Sequence, residues 1–280
     1  MSKPLRDEFP SVLDRAYSRM RRDTSRAAEK RALVRNIMSK GVVTIGPTSS
    51  MLSAARIMGK KRIGSLIVTK AGQPIGIVTE RDLLSKIIAL SKDPKATRVK
   101  DVMSVPLISI DPKATVREAA GTMIEKKGRL VVSDGKKMLG VVTTSDLIRT
   151  MPECDETSVK VDDFMTRKVA MMDSASTLDE AAKLMGRLRI GSVIVTRKGK
   201  PVGIFTERDL LTHCLATRMP LTKSVGEMAS HPLITVSSGT SIHKAARLMA
   251  NRHIRRLPVT SDNEIVGIIT ARDLVEAYAK

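Results

Sequence analysis

Thr79 and Asp82 stand three residues apart where an apolar run, Gly76-Ile77-Val78, gives out. The same arrangement returns as Thr143 with Asp146, Thr206 with Asp209 and Thr270 with Asp273, each with a Gly three residues before the Thr. A carboxylate only accepts hydrogen bonds and can take two from neighbouring hydroxyls. The vicinal hydroxyls of a ribose are such a pair, and dinucleotide folds place an acid on ribose for the same reason. The Thr sits at a strand end, where its hydroxyl and the N–H groups that follow can face a ligand. The start of the next helix favours an anion. Thr-x-x-Asp at a strand-to-helix turn is also what helix capping alone requires. A single copy reads first as a cap. Four copies, each with its fixed Gly, read as a binding motif.

The elements that position these pairs recur with them. The Asp positions are separated by 64, 63 and 64 residues (82 to 146, 146 to 209, 209 to 273), so the chain is four copies of one supersecondary unit. In the first copy, Val42-Val43-Thr44-Ile45 reads as a short β-branched strand. Ser50, Thr115, Thr177 and Ser241 then precede an Ala-Ala-x-x-Met phrase in each copy, and all four read as helix N-caps. Thr115 with Glu118 and Thr177 with Glu180 have the spacing of capping boxes. Met58, Met123, Met185 and Met249 share a helix face with the Ala four residues before, which points to packing. A second apolar strand, a polar turn, the Gly-apolar-apolar-Thr strand and a second helix complete each unit. The order is strand, helix, strand, strand, helix, in a mixed α/β class. The units are placed at 34–90, 98–150, 158–215 and 222–278. A unit of this size buries little surface alone, so the units are expected to pair.

Residues 62–85 and 189–212 match at 17 of 24 positions, an offset of 127. Copies two and four instead share arginines before their second strand, in Gly128-Arg129-Leu130 and Arg255-Arg256-Leu257. The economical account is a two-copy module that was duplicated, with 151–157 as the linker. Residues 1–33 lie outside the repeat. Phe9, Leu13, Tyr17 and Met20 recur there at helical spacing, with seven basic and two acidic residues between Arg15 and Arg31, as in a basic amphipathic helix.

The formal net charge of +20 in 280 residues favours anionic partners: nucleotides, nucleic acid or an acidic protein surface. Aromatic residues are 2% of the chain and Trp is absent, which argues against base-stacking platforms. No apolar run is long enough to span a bilayer, and the N-terminus does not read as a signal peptide. Cys154 and Cys214 are isolated, so neither a disulfide framework nor a metal site is expected, and a reducing cytoplasm fits. His213, His231, His243 and His253 are scattered and form no catalytic arrangement with Ser or Cys. The expectation is a protein with no catalytic residues.

The repeated Gly-apolar-apolar-Thr-x-x-Asp phrase within the full strand–helix–strand–strand–helix frame resembles the CBS domain, over roughly residues 34–278. The resemblance implies that repeats pair into two Bateman modules and that four repeats form a disc-like assembly, as in the γ subunit of AMP-activated protein kinase. It implies adenosyl ligands: AMP, ADP, ATP or S-adenosylmethionine. Asp82, Asp146, Asp209 and Asp273 would hold ribose, with Thr79, Thr143, Thr206 and Thr270 near the phosphates. The first strand of each repeat would line the adenine slot with Val42 and Val43, Leu107 and Ile108, Val169 and Ala170, and Leu233 and Ile234. Arg129, Arg255 and Arg256 would meet phosphate. The chain then reads as a regulatory sensor whose nucleotide-dependent shape is read by a partner protein, with a homodimer as a further expectation. The rivals are an S-adenosylmethionine sensor, a nucleic-acid-binding protein and an assembly protein whose motif only caps helices.

Overall fold

The computed structural model describes residues 32–126, 128–135, 137–151, 159–217 and 219–279. The amphipathic helix expected around Phe9–Met20 and most of the 151–157 linker lie outside them. The described residues form four three-stranded sheets. In chain order these are β1 (Thr44–Ile45), β2 (Ser65–Lys70) and β3 (Gln73–Thr79); β4 (Ile108–Ile110), β5 (Leu130–Ser133) and β6 (Met138–Val142); β7 (Met171–Asp173), β8 (Ser192–Arg197) and β9 (Lys200–Thr206); and β10 (Val236–Ser237), β11 (Arg256–Ser261) and β12 (Glu264–Thr270). The first strand of each sheet runs parallel to the second, and the second antiparallel to the third. A parallel pair needs a crossover. It is supplied by α1 (Met51–Lys61), α3 (Val116–Glu125), α5 (Leu178–Leu188) and α7 (Ile242–Arg252).

The capping residues start these helices as their types require. Ser50, Thr115, Thr177 and Ser241 each accept a bond from the backbone N–H three residues on. Thr115 with Glu118 and Thr177 with Glu180 close complete capping boxes. Met58, Met123, Met185 and Met249 are buried. The second helices follow the Thr-x-x-Asp phrases: α2 (Glu80–Lys86), α4 (Thr144–Arg149), α6 (Glu207–Asp209, continuing as a π-helical turn over Leu210–Leu215) and α8 (Ala271–Ala279).

The first strands are shorter than the sequence suggests. Pairing begins only at Thr44, Ile108, Met171 and Val236. Of the residues assigned to an adenine slot on those strands, Ile108 alone is in a strand. Val42, Val43, Leu107, Val169, Ala170, Leu233 and Ile234 precede theirs. The chain there has left the parallel ladder, although the Val43 and Ala170 carbonyls still accept from Ile67 and Ile194.

Repeats pair through the segments that precede these strands. Ser39, ahead of the first repeat's sheet, exchanges both backbone bonds with Val141 of the second, and Ser104, ahead of the second, does the same with Ile77 of the first. Thr166 with Ile268 and Ser230 with Ile204 repeat the exchange in the other module. The two modules are then joined by helices. One apolar core combines residues of repeats one and three, including Met58, Leu84, Met185 and Phe205. The other combines repeats two and four, including Met123, Leu147, Met249 and Leu274. Each core therefore spans both modules. No helix among the described residues is long and apolar enough to cross a membrane.

Candidate functional site

Each Thr-x-x-Asp pair is built by the junction of a strand with a helix. Thr79, Thr206 and Thr270 are the last residues of their strands, Thr143 directly follows β6, and in every copy the Asp is the third helical residue. In all four copies the Thr backbone N–H and its hydroxyl both donate to one carboxylate oxygen, Oδ2. The N–H bonds are 2.8–2.9 Å and the hydroxyl bonds 2.7–2.8 Å. The Asp N–H donates back to the Thr hydroxyl in copies one, three and four, at 3.2–3.4 Å. The caps foreseen from the sequence are thus formed, and they take the Thr hydroxyl and the Thr N–H.

The cap uses only one oxygen of each carboxylate. The other, Oδ1, lies 2.6 Å from the Lys86 ammonium in Asp82 and 2.7 Å from the Arg149 guanidinium in Asp146. In Asp209 it accepts a long bond of 3.5 Å from the Ser230 hydroxyl. Burial raises the Asp209 and Asp273 carboxyls above the usual carboxylate range, against the lowering effect of the bonds from Thr206 and Thr270.

A cavity of about 1450 Å³ is lined by all four repeats. It brings together Thr79, Asp82, Thr143, Asp146, Thr206's neighbours Glu207 and Arg208, and Thr270. Val42, Val43, Ile108, Val169 and Ala170 contribute apolar wall, and Arg129, Arg255 and Arg256 contribute guanidinium groups. Thr206, Asp209, Asp273, Leu107, Leu233 and Ile234 are not among its lining residues.

At the centre sits a cluster that sequence reasoning missed. Glu80 and Glu207, the residues just after Thr79 and Thr206, are 3% and 7% exposed. Glu80 Oε2 lies 2.8 Å from Arg255 and its Oε1 3.1 Å from Arg208 Nε. Glu207 Oε2 lies 3.3 Å from Arg256, and Oε1 3.0 Å from Arg81 Nε. The Arg81 contact is an ion pair without hydrogen-bond alignment, so Glu207 Oε1 is buried with no hydrogen-bond donor. Burial would raise the Glu80 carboxyl, but Arg255 and Arg208 overcome it and hold the group at about 2. Arg255 and Arg256 do not lie over the strand end in solvent, because their side chains are 23% and 14% exposed. The signal was present in the sequence: Thr-Glu-Arg-Asp occurs in copies one and three only, and the arginines before the second strand in copies two and four only.

Among the described residues no group of three or more His, Cys, Asp or Glu could hold a metal ion. A buried carboxylate, an apolar wall and a set of guanidinium groups in one cavity can accept from hydroxyls, cover a flat apolar ring and bind phosphate oxygens.

Comparison with known proteins agrees with this architecture. The family model described as CBS domain matches four times, at residues 34–89, 99–153, 161–216 and 225–280. Protein MJ1225 of Methanocaldococcus jannaschii is 26% identical over 274 residues, covering 86% of this chain and 96% of that one. Its crystal structure, described as that of a proposed archaeal homologue of γ-AMPK, superposes with a TM-score of 0.74 at 24% identity, over 88% of this chain and all of that one. A protein of Pyrococcus horikoshii described as uncharacterized and conserved gives a TM-score of 0.58 at 24% identity, covering 88% of this chain and 99% of the other. MK0525 of Methanopyrus kandleri is 35% identical over 122 residues, a match that covers 42% of this chain and 62% of that one.

Proposed function

The chain belongs to the CBS-domain family, and from that premise we propose that it is a regulatory protein that binds an adenine nucleotide in its central cavity and does not turn it over. One observation carries the reading. Asp82 and Asp146 share a cavity with the apolar residues Val42, Val43, Ile108, Val169 and Ala170 and with the guanidinium groups of Arg129, Arg255 and Arg256. Those three surfaces match a ribose, a purine and a phosphate chain. AMP, ADP and ATP all present them. S-adenosylmethionine presents a cationic sulfonium where the arginines ask for an anion, so it is the poorer fit. A ligand that touches all four repeats holds the two modules in one relative packing. It shifts the population of states only as far as it prefers that packing, and a partner protein reads the result.

The test is a calorimetric titration with adenosine, AMP, ADP, ATP and S-adenosylmethionine, with product analysis of the ATP sample. The expected result is saturable heat with at least one phosphorylated ligand and no product. Absence of heat with all five at millimolar ligand, or product formed at enzymatic rates, overturns the proposal.

A further inference from the structure

The central charges are related by the duplication. Glu80 and Glu207, Arg81 and Arg208, Arg129 and Arg256, and Gly64 and Gly191 are each 127 residues apart. The glycines are needed where the guanidinium groups pass. A Cβ on Gly64 would come within 2.9 Å of an Arg129 terminal nitrogen, and one on Gly191 would overlap that of Arg256. The symmetry predicts that each glutamate pairs with the arginine of its own module, Glu207 with Arg256 and Glu80 with Arg129. Only the first pair forms. Residue 128 is Gly, but its counterpart 127 residues on is Arg255, and this additional guanidinium takes Glu80 at 2.8 Å. Arg129 is left lining the cavity with no carboxylate within 4 Å among the described residues, although burial disfavours its charge. The five arginines outnumber the two glutamates by three, so this cluster is net positive.

We propose that Glu80 and Glu207 are resident counter-anions occupying guanidinium positions that a ligand's phosphates can take, and that Arg129 is the guanidinium left open for the first of those phosphates. The carboxylates hold Arg208, Arg255, Arg81 and Arg256 in place when the cavity holds no anion. A phosphate chain gains those arginines only in competition with the carboxylates. The two glutamates therefore set how steeply affinity rises with ligand charge. This deepens the nucleotide reading and rests on it for the identity of the natural ligand, but the charge arrangement is testable without a nucleoside.

Inorganic tripolyphosphate is the probe, titrated calorimetrically into the full chain. Glu80→Gln and Glu207→Gln, singly and together, are expected to tighten tripolyphosphate by about tenfold per glutamate removed, since each frees guanidinium charge at short range in a poorly screened site. Arg129→Gln is expected to weaken it. ATP should follow tripolyphosphate, and adenosine should be unchanged in every variant. The variant Glu80→Gln with Arg255→Gln removes a neutral pair and should show no gain. It also serves if the single glutamate variants do not fold, because its core keeps the wild-type charge balance. Unchanged or weaker tripolyphosphate binding in folded Glu→Gln variants, or a gain in the neutral-pair variant equal to that of Glu80→Gln, overturns the proposal. A gain for tripolyphosphate with no wild-type binding of any adenosyl ligand leaves the counter-anion role standing and removes the nucleotide reading.

Discussion

Asp146 shows how one carboxylate can serve a helix and a ligand at once. Its Oδ2 takes two bonds from Thr143, while Oδ1 meets only the half-exposed Arg149 side chain. An amide keeps one acceptor oxygen for the cap but places an N–H₂ donor at the second position. Asp146→Asn is therefore expected to cost little stability and to weaken adenosine and nucleotide alike by about 1.5–3 kcal/mol, the scale of hydrogen bonds to charged groups. Asp146→Ala should show the same ligand loss plus about 1 kcal/mol of lost capping in the melting curve. Equal ligand binding by the Asn variant and wild type would reduce the residue to a cap. Glu80 makes a different prediction. Its carboxyl is held at about 2 instead of 4.5 by Arg255 and Arg208, so the unfolded chain takes up that proton first as pH falls. The stabilisation is complete above pH 4.5 and is lost as pH falls towards 2. Denaturant melts across that window should show a flatter acid limb for Glu80→Gln than for wild type, and parallel limbs would contradict the assignment. The four Asp–Thr pairs were legible in the sequence because their spacing repeats. Glu80 and Glu207 were not, because each reads as an ordinary first-turn acid until the fold brings an arginine from another repeat within 3.3 Å.

At the scale of elements, the glycine before each Thr has a structural task of its own. A Cβ on Gly203 would lie 2.5 Å from the His231 ring and 2.8 Å from the Ser230 carbonyl oxygen, in the segment that crosses over to pair with β9. On Gly140 it would lie 2.8 Å from the Ser39 carbonyl oxygen. The fixed glycine therefore follows from close approach of the partner repeat's leading segment, and the Thr–Asp pair must carry the binding argument without it. Gly203→Ala is expected to destabilise by about 1–3 kcal/mol, the range for overpacking, with only an indirect effect on ligand. A variant as stable as wild type would show that the segment gives way freely. Helix starts, the Ala and Met faces and the second and third strands were legible because each follows from local chemistry. The sequence overextends the first strands because Val42-Val43 has β-branched strand composition, while Val169-Ala170 is assigned to a strand by the family resemblance alone. The ladder begins only after them.

For the whole molecule, the sequence shows two modules but not how they meet. The helices join repeat one to repeat three and repeat two to repeat four. That choice depends on close packing that no periodicity reveals. A Cβ on Gly59 would meet the Ala216 side chain at 2.7 Å, and one on Gly186 would overlap that of Ala89. The cross-module packing is what assembles the cavity, because Glu80 of the first module reaches Arg208 and Arg255 of the second. Nucleotide binding should therefore be a property of the intact four-repeat chain and of acids from both repeats of the first module. The most direct measurement is a calorimetric titration of ATP into the intact protein and into the Asp82→Ala, Asp146→Ala double variant, with circular dichroism confirming that the variant is folded. The account predicts saturable binding to the intact chain that is lost or weakened by at least about 1.5–3 kcal/mol in the variant, the scale of the charged hydrogen bonds removed. Equal binding by both proteins, or none by the intact chain, would contradict it.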